Sequence, residues 1–375
     1  MERTRENWLR DEMRPFVRHD HLAAYAAVLL DSSAYLAAAA FAVVVEPIWL
    51  KATLAVVAGT MISTLFVLGH DAAHGSLVAS PSRNRALARL LFLPALHNYT
   101  LWRIQHNRLH HLSPNVRGIN SWWPLSLSEY QALPRWRRAL EHVYRGGGFG
   151  LYYLIERWWK HKFIPGARLD AKLRRAAWMD FLWIAVWLAT LLAGLILLAE
   201  SRRQAPMAAL LWGFAVPYLV WNWSMGLTVF LQHTHFAVPW FLNQDEAERL
   251  GGRQEHVTIH VKYPRWYGLL SHDIMEHPAH HINPLIPFHR LHAAQTKLLE
   301  LLGDEIVVET IGPRYVRTLM RRCKLYDYDR QEWTDFSGRP LNGASDAMRP
   351  AWRARAPLTA QHSSACAPAH RAQRH

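Results

Sequence analysis

The chain has 375 residues, 51% of them hydrophobic, with 18 Trp, two Cys and a formal net charge of +14. Cys323 and Cys366 lie far apart, which excludes a disulfide framework or a thiolate metal site. A basic balance of this size would suit nucleic acid, but uncharged runs of membrane length separate the basic segments. No nucleic-acid partner is therefore expected, and the surplus reads as Lys and Arg retained on the cytoplasmic side of a bilayer.

Residues 1–20 are charged throughout and lack the apolar core of a cleavable signal. Four segments then come near the ~20 residues needed to cross ~30 Å of hydrocarbon. They are residues 23–45, 49–68, 181–198 and 207–231. Asp31 falls inside the first, where a charge is costly. The first two segments are so closely spaced that they should form a tight helical hairpin.

Residues 71–180 carry most of the basic side chains, among them Arg83, Arg85, Arg89, Arg135, Arg137, Arg138, Lys160 and Lys162. Within this stretch, residues 87–101 are apolar but too short to span. Trp122, Trp123, Trp136, Trp158 and Trp159 sit among charges, as interfacial helices would place them. An even number of spans puts both termini and this long segment on one side. Arg3, Arg5, Arg10, Arg14 and Arg18 assign that side to the cytoplasm, with a bacterial inner membrane as the expected location. The expected fold is all-α: an integral-membrane four-helix transmembrane bundle under a cytoplasmic helical cap. Residues 1–337 form its single domain. Residues 338–375, rich in Ala, Pro, Arg, Ser and His without periodicity, read as a disordered low-complexity tail.

Histidines stand out at the ends of these segments. GHDAAHG at residues 69–75 supplies His70 and His74, and HNRLHH supplies His106, His110 and His111. QHTH supplies His233 and His235 directly after the fourth segment, and HDIMEHPAHH supplies His277, His280 and His281. Residues three and four apart share a helix face. On that rule His70 pairs with His74, His106 with His110, and His277 with His280 and His281, each set aimed at one metal. Imidazole suits iron, zinc and copper. Eight such residues exceed the three or four that one metal uses, so the count points to two metals in one site. The second and fourth spans must exit on the same side, which lets all four groups converge.

Absent motifs narrow the chemistry. There is no His-Glu-x-x-His of a zinc protease and no pair of Glu-x-x-His motifs of the soluble carboxylate-bridged bundles. Asp71, Asp273 and Glu276 are candidates for orienting the imidazoles. His97, His289 and His292 fit a structural or supporting place better than a ligand place. A metal transporter would carry its polar residues near mid-membrane, and here they lie at or beyond the span ends.

The set His-x3-His, His-x3-His-His and His-x2-His-His, split by paired spans, resembles the membrane fatty acid desaturase superfamily over roughly residues 65–302. The run HPAHHINPLIPFHRLHAA at 277–294 is similar to the third box of acyl-lipid desaturases, as is LQHTH at 231–235. The resemblance implies two iron ions (Fe2+/Fe3+) held by His70, His74, His106, His110, His111, His277, His280 and His281, making the cap the seat of a histidine-rich di-iron site. His233, in preference to His235, matches the further ligand position that some members place after the last span. No catalytic residue beyond the metal ligands is implied. The implied reaction is O2-dependent desaturation of a membrane lipid or acyl substrate, with electrons from a separate donor such as ferredoxin or a cytochrome. The first box, with Gly75 and Ser76 after its second histidine, also looks like that of carotenoid ketolases. The second has three residues before its double histidine, where many desaturases have two. A hydroxylase or carotenoid ketolase on the same scaffold is the alternative outcome.

Overall fold

The computed structural model describes residues 4–166, 169–250 and 252–341. Four of its helices are long and apolar enough to cross a membrane: His21–Val44, Ile48–His74, Ala171–Ser201 and Pro206–His233. Two of them overrun their apolar stretches because capping chemistry, and not hydropathy, decides where a helix ends. The second continues past Leu68 to Gly75, whose φ of 85° gives the left-handed C-cap. The third starts ten residues before Phe181, where the Asp170 side chain accepts from Leu173 N at 2.9 Å. The fourth contains a π turn at Leu211–Ala215. It precedes Pro217, which has no N–H to donate and would collide with the carbonyl four residues back.

The first two spans form the expected hairpin. Asp31 is not left alone in hydrocarbon, since His272 Nε2 lies 2.7 Å from its Oδ2. The second and fourth spans pack closely at Gly59, where a Cβ would sit 2.6 Å from Pro217 O. Above this crossing the core is aromatic: the Phe66 ring is 4.7 Å from both Phe92 and Trp221.

The segment between the second and third spans folds as helices Pro81–Phe92, Tyr99–Arg103, Leu127–Ala132, Arg135–Arg145 and Phe149–Tyr152. Two of these continue as π-helices, Ile104–His110 and Tyr153–Phe163. Of the tryptophans expected at the interface, Trp136 and Trp159 are exposed, whereas Trp122 and Trp158 are buried core residues. Trp122 Nε1 donates to Gly226 O at 3.0 Å, and its ring stacks on Tyr152.

The fold is mostly helical but not purely so. Strand β1 (Ile259–Lys262) pairs in parallel with β2 (Val307–Thr310), Ile259 opposite Val307. Strand β3 (Leu325–Asp327) pairs antiparallel with β4 (Glu332–Thr334). Strands of three or four residues are too short for alternation to be read. Helices His277–Ile282 and Phe288–Leu302 lie between β1 and β2 in sequence. Of the expected tail, residues 338–341 follow β4 closely, with Leu341 N donating to Trp333 O at 2.8 Å. Residues 342–375 lie outside the described residues.

Candidate metal centre

Nine histidines meet where the second and fourth spans end. They form two groups. His70, His74, His106, His111 and His280 make one, and His110, His233, His277 and His281 the other; within each, one ring nitrogen per residue lies within 4.8 Å of the rest. The groups adjoin, with the His111 and His281 rings stacked at 4.4 Å.

The pairing differs from expectation in two places. His70 and His74, four apart on an α-helix, do share a group. His106 and His110, also four apart, do not. Their segment is π-helical, with His111 N donating to His106 O at 3.1 Å, so residues five apart share its face. His106 therefore joins His111 in the first group and His110 turns to the second. In the short α-helix after Glu276, His277 and His281 share a face, and His280 points to the first group instead. Each histidine box thus feeds one or both groups according to its local helix type.

Nitrogen separations fit a bound cation. His70 and His106 Nε2 are 3.1 Å apart, His106 and His111 3.2 Å, His111 and His280 3.2 Å, and His233 and His277 2.8 Å. Imidazoles bound to one metal at about 2.0–2.2 Å would place neighbouring nitrogens about 2.8–3.6 Å apart. His74 Nε2 and His281 Nε2 are buried with no hydrogen-bond partner, which a metal would supply. Burial holds His106, His110, His111, His277, His280 and His281 well below the ordinary imidazole range. They are neutral near pH 7, the state in which imidazole binds metal.

Of the three acids expected to orient the imidazoles, only Asp71 contacts one of the nine. Asp71 Oδ1 is 3.4 Å from His70 Nδ1, while its Oδ2 accepts from Phe288 N at 2.7 Å. Asp273 pairs with Arg265, and Glu276 contacts His260 and His292, each at 2.7 Å. Neither orients a histidine of the two groups. Gln254 does: its Oε1 is 2.8 Å from His281 Nδ1, and its Nε2 donates to His111 O at 2.7 Å. It sits in a 3₁₀ turn outside any spaced motif, so no sequence signal marked it. The Val257 carbonyl lies 3.3 Å from His233 Nδ1. His235 stands apart, paired with Glu309 at 3.1 Å, and His97 bridges Ala95 O and the Tyr153 hydroxyl. His289 reaches the Arg18 carbonyl at 3.2 Å.

A cavity opens against both groups. Its wall includes His70, His106, His110, His233 and His277 together with Phe66, Val67, Trp102, Ile119, Met225, Val229 and Ile274. Val67, Met225, Thr228 and Ile274 also line a second cavity, which runs between the second and fourth spans past Ser63, Thr64 and Ser224. The apolar residues 87–101 line neither.

Four membrane-length helices that gather nine histidines beside an apolar cavity define a membrane protein with a multi-histidine site of metal-binding geometry. Residues 47–311 match the fatty acid desaturase family, and the chain belongs to that family of oxidoreductases. It is 28% identical to a chloroplastic omega-6 fatty acid desaturase of Glycine max, over 86% of this chain and 74% of that protein. It is 25% identical to an sn-1 oleoyl-lipid 12-desaturase of Picosynechococcus sp., over 82% of this chain and 85% of that one. To a chloroplastic omega-6 fatty acid desaturase of Spinacia oleracea it is 28% identical, over 72% of this chain but only 58% of the relative.

Proposed function

We propose that this chain is an acyl-lipid desaturase, which introduces a double bond into a fatty acyl chain with O2 and electrons from an external donor. The observation that carries the reading is the pair of adjoining histidine groups facing one apolar cavity. His70, His74, His106, His111 and His280 would hold one iron, and His110, His233, His277 and His281 the other. The chemistry that iron held by these histidines would supply is O2 activation and removal of hydrogens from adjacent methylenes.

The chain's own residues do the positioning. A methylene offers no polar handle, so the wall of Phe66, Trp102, Met225, Val229 and Ile274 must fix which carbons face the histidines. Gln254 holds the His281 ring and ties it to the His111 backbone, linking the two groups mechanically. The same wall excludes water.

The histidine cap is placed on the cytoplasmic side of a bacterial inner membrane, on the strength of the arginines at the N-terminus and in residues 71–180. That basic face suits an acidic electron carrier such as a ferredoxin, or a cytochrome. Residues 1–337 are taken as the desaturase domain. The relatives' names support an acyl lipid as substrate.

Expression in a host lacking the corresponding unsaturated lipids, followed by mass-spectrometric lipid profiling, tests this directly. New double bonds with the wild type and none with His280→Ala are expected. Identical profiles would defeat the reading, and hydroxylated or keto products would move it to the oxygen-inserting alternative.

A further inference from the structure

Two cations face the same cavity from the π-helix Tyr153–Phe163. Hydrogen bonding between residues five apart turns Arg157 and Lys162 onto one face of that helix. On an α-helix they would diverge. Both line the cavity, and they are only 5% and 7% exposed. The cavity lining contains no carboxylate. Among the described residues none forms an ion pair with either cation, and Arg157 Nε is buried without a partner. Lys162 Nζ has one polar contact, a donation to the Tyr153 hydroxyl at 3.3 Å, and that hydroxyl is already 2.9 Å from His97 Nε2. The nearest acid in sequence, Glu156, is held by Arg137 and Lys160.

Trp123 lies 5.9 Å from the Arg157 guanidinium and Tyr153 5.2 Å from Lys162 Nζ, but ring faces offset little of the cost of two like charges buried in one wall, which an anion between them would lower. A guanidinium and an ammonium together offer a fork and a point donor, which match a carboxylate or a phosphate. Burial, and then the Arg157 charge, hold Lys162 well below the ordinary lysine range. An anion between the two would reverse that cost. Beside the histidines, the wall also carries an apolar stretch of Phe66, Val67, Trp102, Met225, Val229 and Ile274, so a ligand that meets both this stretch and the two cations is an amphiphile with an anionic head.

We infer that Arg157 and Lys162 form an anion-binding subsite that takes the carboxylate or phosphate head of a lipid whose chain lies against the histidine groups. The lipid identity rests on the desaturase reading; the anion preference stands on the two cations alone.

Equilibrium binding to the full chain in neutral detergent tests it without turnover. The probes are stearate against methyl stearate, and stearoyl lysophosphatidate against monostearoylglycerol. Each charged probe that uses the subsite should bind at least about tenfold tighter than its neutral partner, as a charge-assisted bond implies. That margin should persist at high salt, because the cations are buried. Arg157→Gln and Lys162→Met should each reduce it towards parity while leaving the neutral probes unchanged. A preference confined to stearate identifies a carboxylate head, and one confined to lysophosphatidate a phosphate. Equal binding of charged and neutral probes by the wild type would overturn the inference, and this arm needs no variant to fold. A margin that survives both substitutions would overturn it too, by assigning the preference to the basic surface. If lipid profiling showed no double bond but the margin were present, the desaturase reading would fall and the anion subsite would stand.

Discussion

His106 and His111, five residues apart, bring their Nε2 atoms to 3.2 Å, while His110 faces away into the other group. The π-helix Ile104–His110 is the cause. Helix type at one turn therefore decides how nine histidines divide into five and four. The division predicts the pattern of metal loss. His106→Ala and His111→Ala should deplete the same ion, so the double variant should retain as much iron as either single one. His106→Ala with His110→Ala should deplete both. Elemental analysis of the purified variants distinguishes these outcomes, and equal losses in the two double variants would contradict the grouping.

Gln254→Leu removes both the contact to His281 Nδ1 and the bond to the His111 carbonyl. Loss of such supporting contacts costs about 10–100-fold in metal affinity or activity. Iron retention during dialysis against a chelator should fall by that order, and Gln254→Glu, which keeps an acceptor oxygen, should fall less.

Acid should destabilise the metal-free protein. Burial lowers the six histidines outside the spans, so the folded state keeps them neutral while the unfolded chain takes up protons near pH ~6.5. The unfolded state then binds more protons, and stability rises with pH through this window. It is fully present above about pH 6.5 and is lost as the pH falls below it. Thermal unfolding of the chelated protein between pH 8 and pH 5 should show a falling Tm; a flat profile would mean the imidazoles are not held neutral.

Gly226 lies in the fourth span where a Cβ would fall 2.2 Å from the Phe149 carbonyl oxygen. Both groups are backbone, so neither can rotate away. Gly226→Ala should cost about 1–3 kcal/mol or more. Gly194 in the third span meets nothing within 4 Å, and Gly194→Ala should be neutral or slightly stabilising. Comparison of the two unfolding midpoints checks the crossing.

Ser224→Trp fills the cavity between the second and fourth spans without touching any of the nine histidines. Iron content should be unchanged while product shifts to shorter acyl chains or disappears, as lipid profiling would show. An unaltered product spectrum would place the acyl chain elsewhere.

Much of this was readable from the sequence because membrane spans are long, and because histidine boxes at span ends obey a parity rule. The four spans and the gathering of the histidine boxes at one end of them follow from those two features. The division of the second box does not, since nothing in IQHNRLH announces five-residue hydrogen bonding over four. The separation of His280 from His277 and His281 is hidden for a related reason: residues three apart can diverge towards two adjoining groups as easily as converge on one. Gln254 carried no spacing at all. Lys162 is in sequence only one of the many basic residues of 71–180 and Arg157 belongs to no motif; the π-helix turns both inward.

Iron stoichiometry with Mössbauer spectroscopy of the purified full-length chain tests the two-group centre most directly. Two irons per chain in nitrogen-rich environments are expected, with His281→Ala and His280→Ala each removing a different one. One iron, or zinc in its place with no O2-dependent product, would contradict it.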